Sequence, residues 1–109
     1  MKKLFVLLLL FSGFTQADCE GTSCSNVYVD MLYARAYGDV SIGTSGTETG
    51  LTCSPKSDVY LRLLYSDVSS DLVYSTLLAA QMANKLVNIK VAADSTGECK
   101  VLYVKLARQ

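Results

Sequence analysis

The sequence predicts a mainly β domain carrying one helix, in the order β-β-β-α-β-β. Three observations predict it. Short runs of Val, Ile, Leu and Tyr alternate with polar residues at the two-residue period of a strand. One stretch, from Asp71 to Ala83, instead repeats apolar residues at i, i+3 and i+4, as a helix with one packed face does. Clusters of Gly, Ser, Thr and Asp separate these runs at turn-like intervals.

The first strand is expected from Val27 to Tyr37, with Val27, Val29 and Met31 on one face and Tyr28 and Asp30 on the other. The alternation then slips, because Ala34 and Ala36 suit the interior and Arg35 does not. A bulge near Leu32 and Tyr33 accounts for the slip. Gly38-Asp39 is a tight-turn signal, and Val40-Ser41-Ile42 starts the return strand of a hairpin. Thr44 to Thr52 has loop composition. The third strand runs from Val59 to Tyr65, with Val59, Leu61 and Leu63 on one face and Tyr60, Arg62 and Leu64 on the other.

Ser69 or Ser70 is placed to cap the helix, and Asp71 lies in its first turn, where the macrodipole favours negative charge. Asn84 is a left-handed stop signal at the other end. Leu86 to Ala92 reads as the fourth strand, with Val87, Ile89 and Val91 inward. Val101 to Leu106 reads as the fifth, with Leu102, Val104 and Leu106 on one face and Val101, Tyr103 and Lys105 on the other. Five short strands with a helix between the third and fourth match the OB-fold, a five-stranded Greek-key barrel. An open α+β sandwich of the same elements is the structural competitor.

Lys2 and Lys3, the apolar run from Leu4 to Phe11 and the small-residue site Thr15-Gln16-Ala17 read as a secretory signal peptide over residues 1–17. Residues 18–109 are then a single domain. Without Lys2 and Lys3 that domain has 8 basic and 10 acidic residues, and it has no basic tract. That gives nucleic acid no electrostatic handle. The four cysteines, Cys19, Cys24, Cys53 and Cys99, all follow the leader and read as two disulfides. Four cysteines allow three pairings. A Cys53–Cys99 bridge would close a long loop, with about 4 kcal/mol of loop-closure entropy removed from the unfolded chain, and Cys19–Cys24 would then close a small ring. No Cys-x-x-Cys and no histidine are present to argue for a metal site.

The Gly38-Asp39-Val40 hairpin, Cys53 before the third strand, Tyr74-Ser75-x-x-Leu78-Ala79-Ala80, Val87-Asn88-Ile89-Lys90-Val91 and Cys99 before Tyr103 resemble small secreted proteins of gram-negative bacteria. That pattern is similar in turn to the OB-fold receptor-binding B subunits of AB5 toxins, with the subtilase cytotoxin B subunit the nearer comparison. The resemblance implies a pentameric homo-oligomer that binds a glycan or a surface protein. No glycan-contacting residue is carried over from that family, and this chain has no tryptophan.

Without histidine, a serine triad lacks its usual base. Asp67 and Asp71 could be paired as glycosidase carboxylates, but both are explained more simply as helix N-terminal acids. Asp39, Asp58 and Asp94 stand at turns for local backbone reasons. No acid, base and nucleophile converge, so the expectation is a binding module without a cofactor. The binding candidates are Tyr33, Arg35 and Tyr37, which point outward together, and Tyr60 with Arg62, which repeats the Tyr-x-Arg spacing on the third strand. Tyrosine and arginine combine contact area with hydrogen bonding at interfaces. The same residues also suit ordinary cross-strand pairs on a solvated face.

Overall fold

Residues 18–92 and 98–109 are described by the computed structural model. The leader assigned to residues 1–17 and the Asp94 turn lie outside the described residues. The described residues begin with a short hairpin for which the sequence offers no strand signal: β1, Asp18–Glu20, pairs antiparallel with β2, Ser23–Val27. Its residues lack the apolar alternation that marks a strand. Gly21 makes the turn with a φ of +65°, where a side chain would be strained. Cys19 and Cys24 are opposite each other in the ladder and are joined by a disulfide.

The long first strand is two strands. β2 ends at Val27 and β3 runs Val29–Arg35, so Tyr28 is where the chain passes from one sheet to the other. Val27 and Val29 are both buried on either side of it. Asn26 adopts a left-handed conformation, φ +53°, and its N–H donates to Asn88 Oδ1 at 2.7 Å, which takes it out of the regular ladder. The bulge expected near Leu32 and Tyr33 lies instead between Val29 and Met31. From Met31 to Arg35 the register is continuous. The strand also stops at Arg35, because Gly38 closes a turn that contains Tyr37.

β3 pairs with β4, Asp39–Thr44, and β4 with β5, Tyr60–Leu64, to make a three-stranded sheet. The second sheet has the order β1-β2-β6-β7, with β6 at Val87–Val91 and β7 at Val101–Lys105. All ladders in both sheets are antiparallel. The expected closed five-stranded barrel is therefore corrected to two sheets. Where closure would require a β5–β7 ladder, one isolated parallel bridge joins Arg62 to Lys100, with the Arg62 N–H donating to the Cys99 carbonyl at 2.7 Å. The Cys53–Cys99 disulfide fastens this junction.

Val59 is 43% exposed and does not share the burial of Leu61 and Leu63, with which it was expected to share a face. Ser57 and Asp58, both at positive φ, turn the chain just before it, so the alternation of β5 starts only at Tyr60. In β7, Val101 is buried and Leu102 is 52% exposed, so Leu102 does not share the core side with Val104. The register shift between Lys90 and Val91 leaves Leu102 as an extra residue in β7, so Val101 turns inward while Val104, opposite Ile89, keeps its expected place against the core.

Helix α1 spans Ser70–Ala83 and packs Leu77 and Ala80 into the core, with Val73 and Tyr74 against it. Asn84 ends it in the left-handed conformation, and the Lys85 N–H returns to the Ala80 carbonyl at 2.9 Å. The expected serine cap is absent. Ser69 is itself left-handed and makes no side-chain cap, while Ser70 Oγ donates to the Tyr65 carbonyl. The core, centred on Ile42, Leu61, Leu63, Leu77 and Ile89, lies between the two sheets and the helix.

Candidate binding face

In an antiparallel ladder, directly opposed residues share a face. The register places Tyr33, Ser41 and Arg62 in one row across β3, β4 and β5. Arg35, Asp39 and Leu64 form the next row, and Met31, Gly43 and Tyr60 the one on the other side. The outer face of the three-stranded sheet thus has small residues along its middle strand and tyrosines and arginines on its flanks. An added Cβ at Gly43 would sit 3.2 Å from Met31 Cβ and 3.7 Å from the Tyr60 ring, so the missing side chain lets these two close over the strand.

Asp39 organises the face. Its side chain is 2% exposed and accepts from Arg35 Nε and Nη2, each at 2.8 Å, in a bidentate pair. It also accepts from Arg62 Nε at 2.8 Å, and Arg62 Nη1 pairs with Glu98 at 3.0 Å. The Arg35 hydrogen bond, helped by that from Arg62, holds the Asp39 carboxyl well below the usual carboxylate range, against the opposing effect of burial. The same bond to Asp39 raises Arg35. Both guanidiniums are therefore fixed in place, and Arg62 stays 39% exposed.

Of the five binding candidates, the structure brings Tyr33, Arg35, Tyr60 and Arg62 onto this face. The Tyr33 and Tyr60 rings are 6.3 Å apart at 59°. Tyr37 is in the turn beyond β3, 86% exposed, with the Arg35 guanidinium 5.6 Å from its ring centroid. The sequence marks Asp39 only as a turn residue, beside Gly38. The available signal was the three-residue connection after Arg35, which sets Asp39 opposite it in the hairpin. Tyr103 and Lys105 lie on β7, in the other sheet, with the Lys105 ammonium 5.7 Å from the Tyr103 ring.

The opposite side of the same sheet carries a cavity of about 380 Å³ beside the first turn of α1. Ala34, Val40 and Leu63 from the sheet and Tyr74 from the helix give it a mainly apolar lining, with Asp71 and Ser70 at the helix start. Asp67, the proposed carboxylate partner of Asp71, is held elsewhere: Lys100 Nζ is 3.2 Å from its Oδ1.

No protein-family model matches the chain, and no curated protein or solved structure does either. The likeness to toxin B subunits drawn from sequence wording thus has no independent match beside it.

Proposed function

We propose that this is an exported binding module, not an enzyme, which holds a glycan or a cell-surface protein on the outer face of β3, β4 and β5. The observation that carries this reading is the Tyr33–Tyr60 pair beside two arginines clamped by buried Asp39. Aromatic rings offer flat apolar area to a sugar ring or side chain, and fixed guanidiniums offer directed donors with little ordering cost on binding. Among the described residues Arg35 Nη1 and Arg62 Nη2 make no bond to the clamp. Two disulfides and the leader-like first residues support export. No helix among the described residues is long and apolar enough to cross a membrane. Read across Tyr28, the succession β5-β4-β3, β2-β6-β7 supports an open relative of the OB arrangement rather than a sealed one.

A glycan array probed with the folded protein tests the reading. Binding to a defined sugar class, lost in Tyr33→Ala and Arg35→Ala, is the expected result; silence across sialylated and neutral sugars removes the glycan form of the proposal. One observation favours a second reading, a monomeric structural or inhibitory protein of the periplasm that contacts another protein. β7 is a terminal strand of its sheet and exposes Leu102 and Tyr103, as a strand that accepts a partner's edge would.

A further inference from the structure

The cavity of about 380 Å³ beside the start of α1 takes no part in the tyrosine–arginine face, which lies on the other side of the same sheet. Its floor follows from the cross-strand register, which puts Ala34, Val40 and Leu63 in one row. Val40 and Leu63 are buried at 2% each, whereas Ala34, on the terminal strand, is exposed. A methyl group at that end leaves the row open, and the cavity is the space beside it. Its volume is that of a small-molecule site, well above the voids left by imperfect packing.

The walls are fixed by the fold. Tyr65 donates its N–H to the Gly38 carbonyl and its hydroxyl to the Arg35 carbonyl, each at 2.9 Å, so both ends of the residue are tied to the β3–β4 turn. Tyr74, half-buried, packs against the core. Two rings held in this way offer aromatic surface with little ordering cost on binding. The Ser70 hydroxyl is spent on the Tyr65 carbonyl at 3.0 Å. That leaves Asp71, an exposed carboxylate on the rim that belongs to no ion pair among the described residues. The helix start beside it carries only about half a positive charge, so a full carboxylate leaves the mouth negative.

An apolar floor, two tyrosine walls and a negative mouth select one kind of ligand. Aromatic rings attract cations and so does the carboxylate, whereas an anion is repelled and a neutral polar group gains neither term. We propose that this cavity binds a small arylalkyl ammonium ion, with its ring on Ala34, Val40 and Leu63 and its ammonium group between Asp71 and the tyrosines. The site shares no side chain with the Tyr33–Tyr60 face, so either can fail without the other.

Phenethylamine, titrated into the folded protein and followed by amide chemical shifts, tests the proposal. The expected result is saturable binding with a Kd on the order of 1 mM, the range for a ligand of about nine non-hydrogen atoms. The shifts should gather on Val40, Leu63, Tyr65 and the first turn of α1. 2-Phenylethanol, which keeps the shape without the charge, should bind at least about threefold more weakly, and phenylacetate more weakly still. Asp71→Asn should weaken the amine at least about threefold while changing the alcohol less than about twofold. Ala34→Leu, which fills the floor and removes no hydrogen bond, should abolish binding of both. No shift at about 10 mM amine overturns the proposal, as does an alcohol or an acid that binds as tightly as the amine. Unchanged amine binding in Asp71→Asn or in folded Ala34→Leu overturns it as well.

Discussion

The two faces of β4 are buried to the same extent by opposite means. On the inner face Val40 and Ile42 meet Leu61, Leu63 and the helix, and water is excluded by apolar packing. On the outer face Asp39, Ser41 and Gly43 are just as inaccessible, yet among the described residues no strand or helix is layered above them. What covers them is the reach of Arg35, Arg62 and Tyr60 from the neighbouring strands. The inner face belongs to the core, where any well-fitting hydrocarbon serves. The outer face is a polar lattice whose members are specified by charge and hydrogen-bond geometry, and it presents its donors to the surface.

Truncation on the inner face breaks the comparison most severely. Leu61 is fully buried at the centre of β5. Leu61→Ala removes its packing and leaves a void, so we expect a loss of about 3 kcal/mol in urea unfolding. A change below about 1 kcal/mol would mean that the inner face is far looser than its burial indicates.

The legibility of the two faces in the sequence differs for the same reason. Val87, Ile89, Val91, Leu61 and Leu63 follow the period-two signal that burial imposes, and the helix follows its own period, so these elements stand where they were expected. The errors cluster where backbone conformation overrides side-chain pattern. Left-handed Asn26 and the Asn26–Asn88 bond break the first strand, Ser57 and Asp58 expel Val59, and a register shift turns Val101 inward and Leu102 outward at the start of β7. None of these carries a hydropathy signal. Sheet closure is a long-range property that element order does not determine, and the tether at Arg62 and Lys100 is a single bridge. The repeated Tyr-x-Arg spacing did bring four of five candidates to one face, because cross-strand register converts equal spacing into adjacency. The buried acid between them was hidden in a turn-like dipeptide.

Asp39→Asn probes the outer face with an intermediate effect. The amide keeps the shape but gives up the charge that two guanidiniums address. Because Arg62 is partly solvated, the expected loss at pH 7 is about 2 kcal/mol, below the figure for a wholly desolvated pair. The pH dependence distinguishes this from a packing defect. The folded-state pKa of Asp39 lies below its ordinary 3.8. Its contribution is therefore complete above that value and is lost as pH falls through the lower folded value. Wild-type stability should decline more steeply than that of Asp39→Asn as the solution is acidified below about pH 5. Parallel stability–pH curves for the two proteins would show that the carboxylate's charge contributes nothing.

The smallest effect on stability is expected from Tyr33→Ala, and it sharpens the contrast most. Tyr33 is 51% exposed and its ring meets that of Tyr60 at a tilt of 59°, so its removal should cost only about 0.5–1 kcal/mol, the range of a cross-strand aromatic pair. The Asp39 clamp does not involve Tyr33 and should survive with its acid dependence unchanged. If the outer face is a recognition surface, this variant unfolds near the wild-type urea midpoint yet loses the ligand found on the array. An equal loss of stability and binding would instead make the tyrosine pair a cover for β4, with no recognition role of its own.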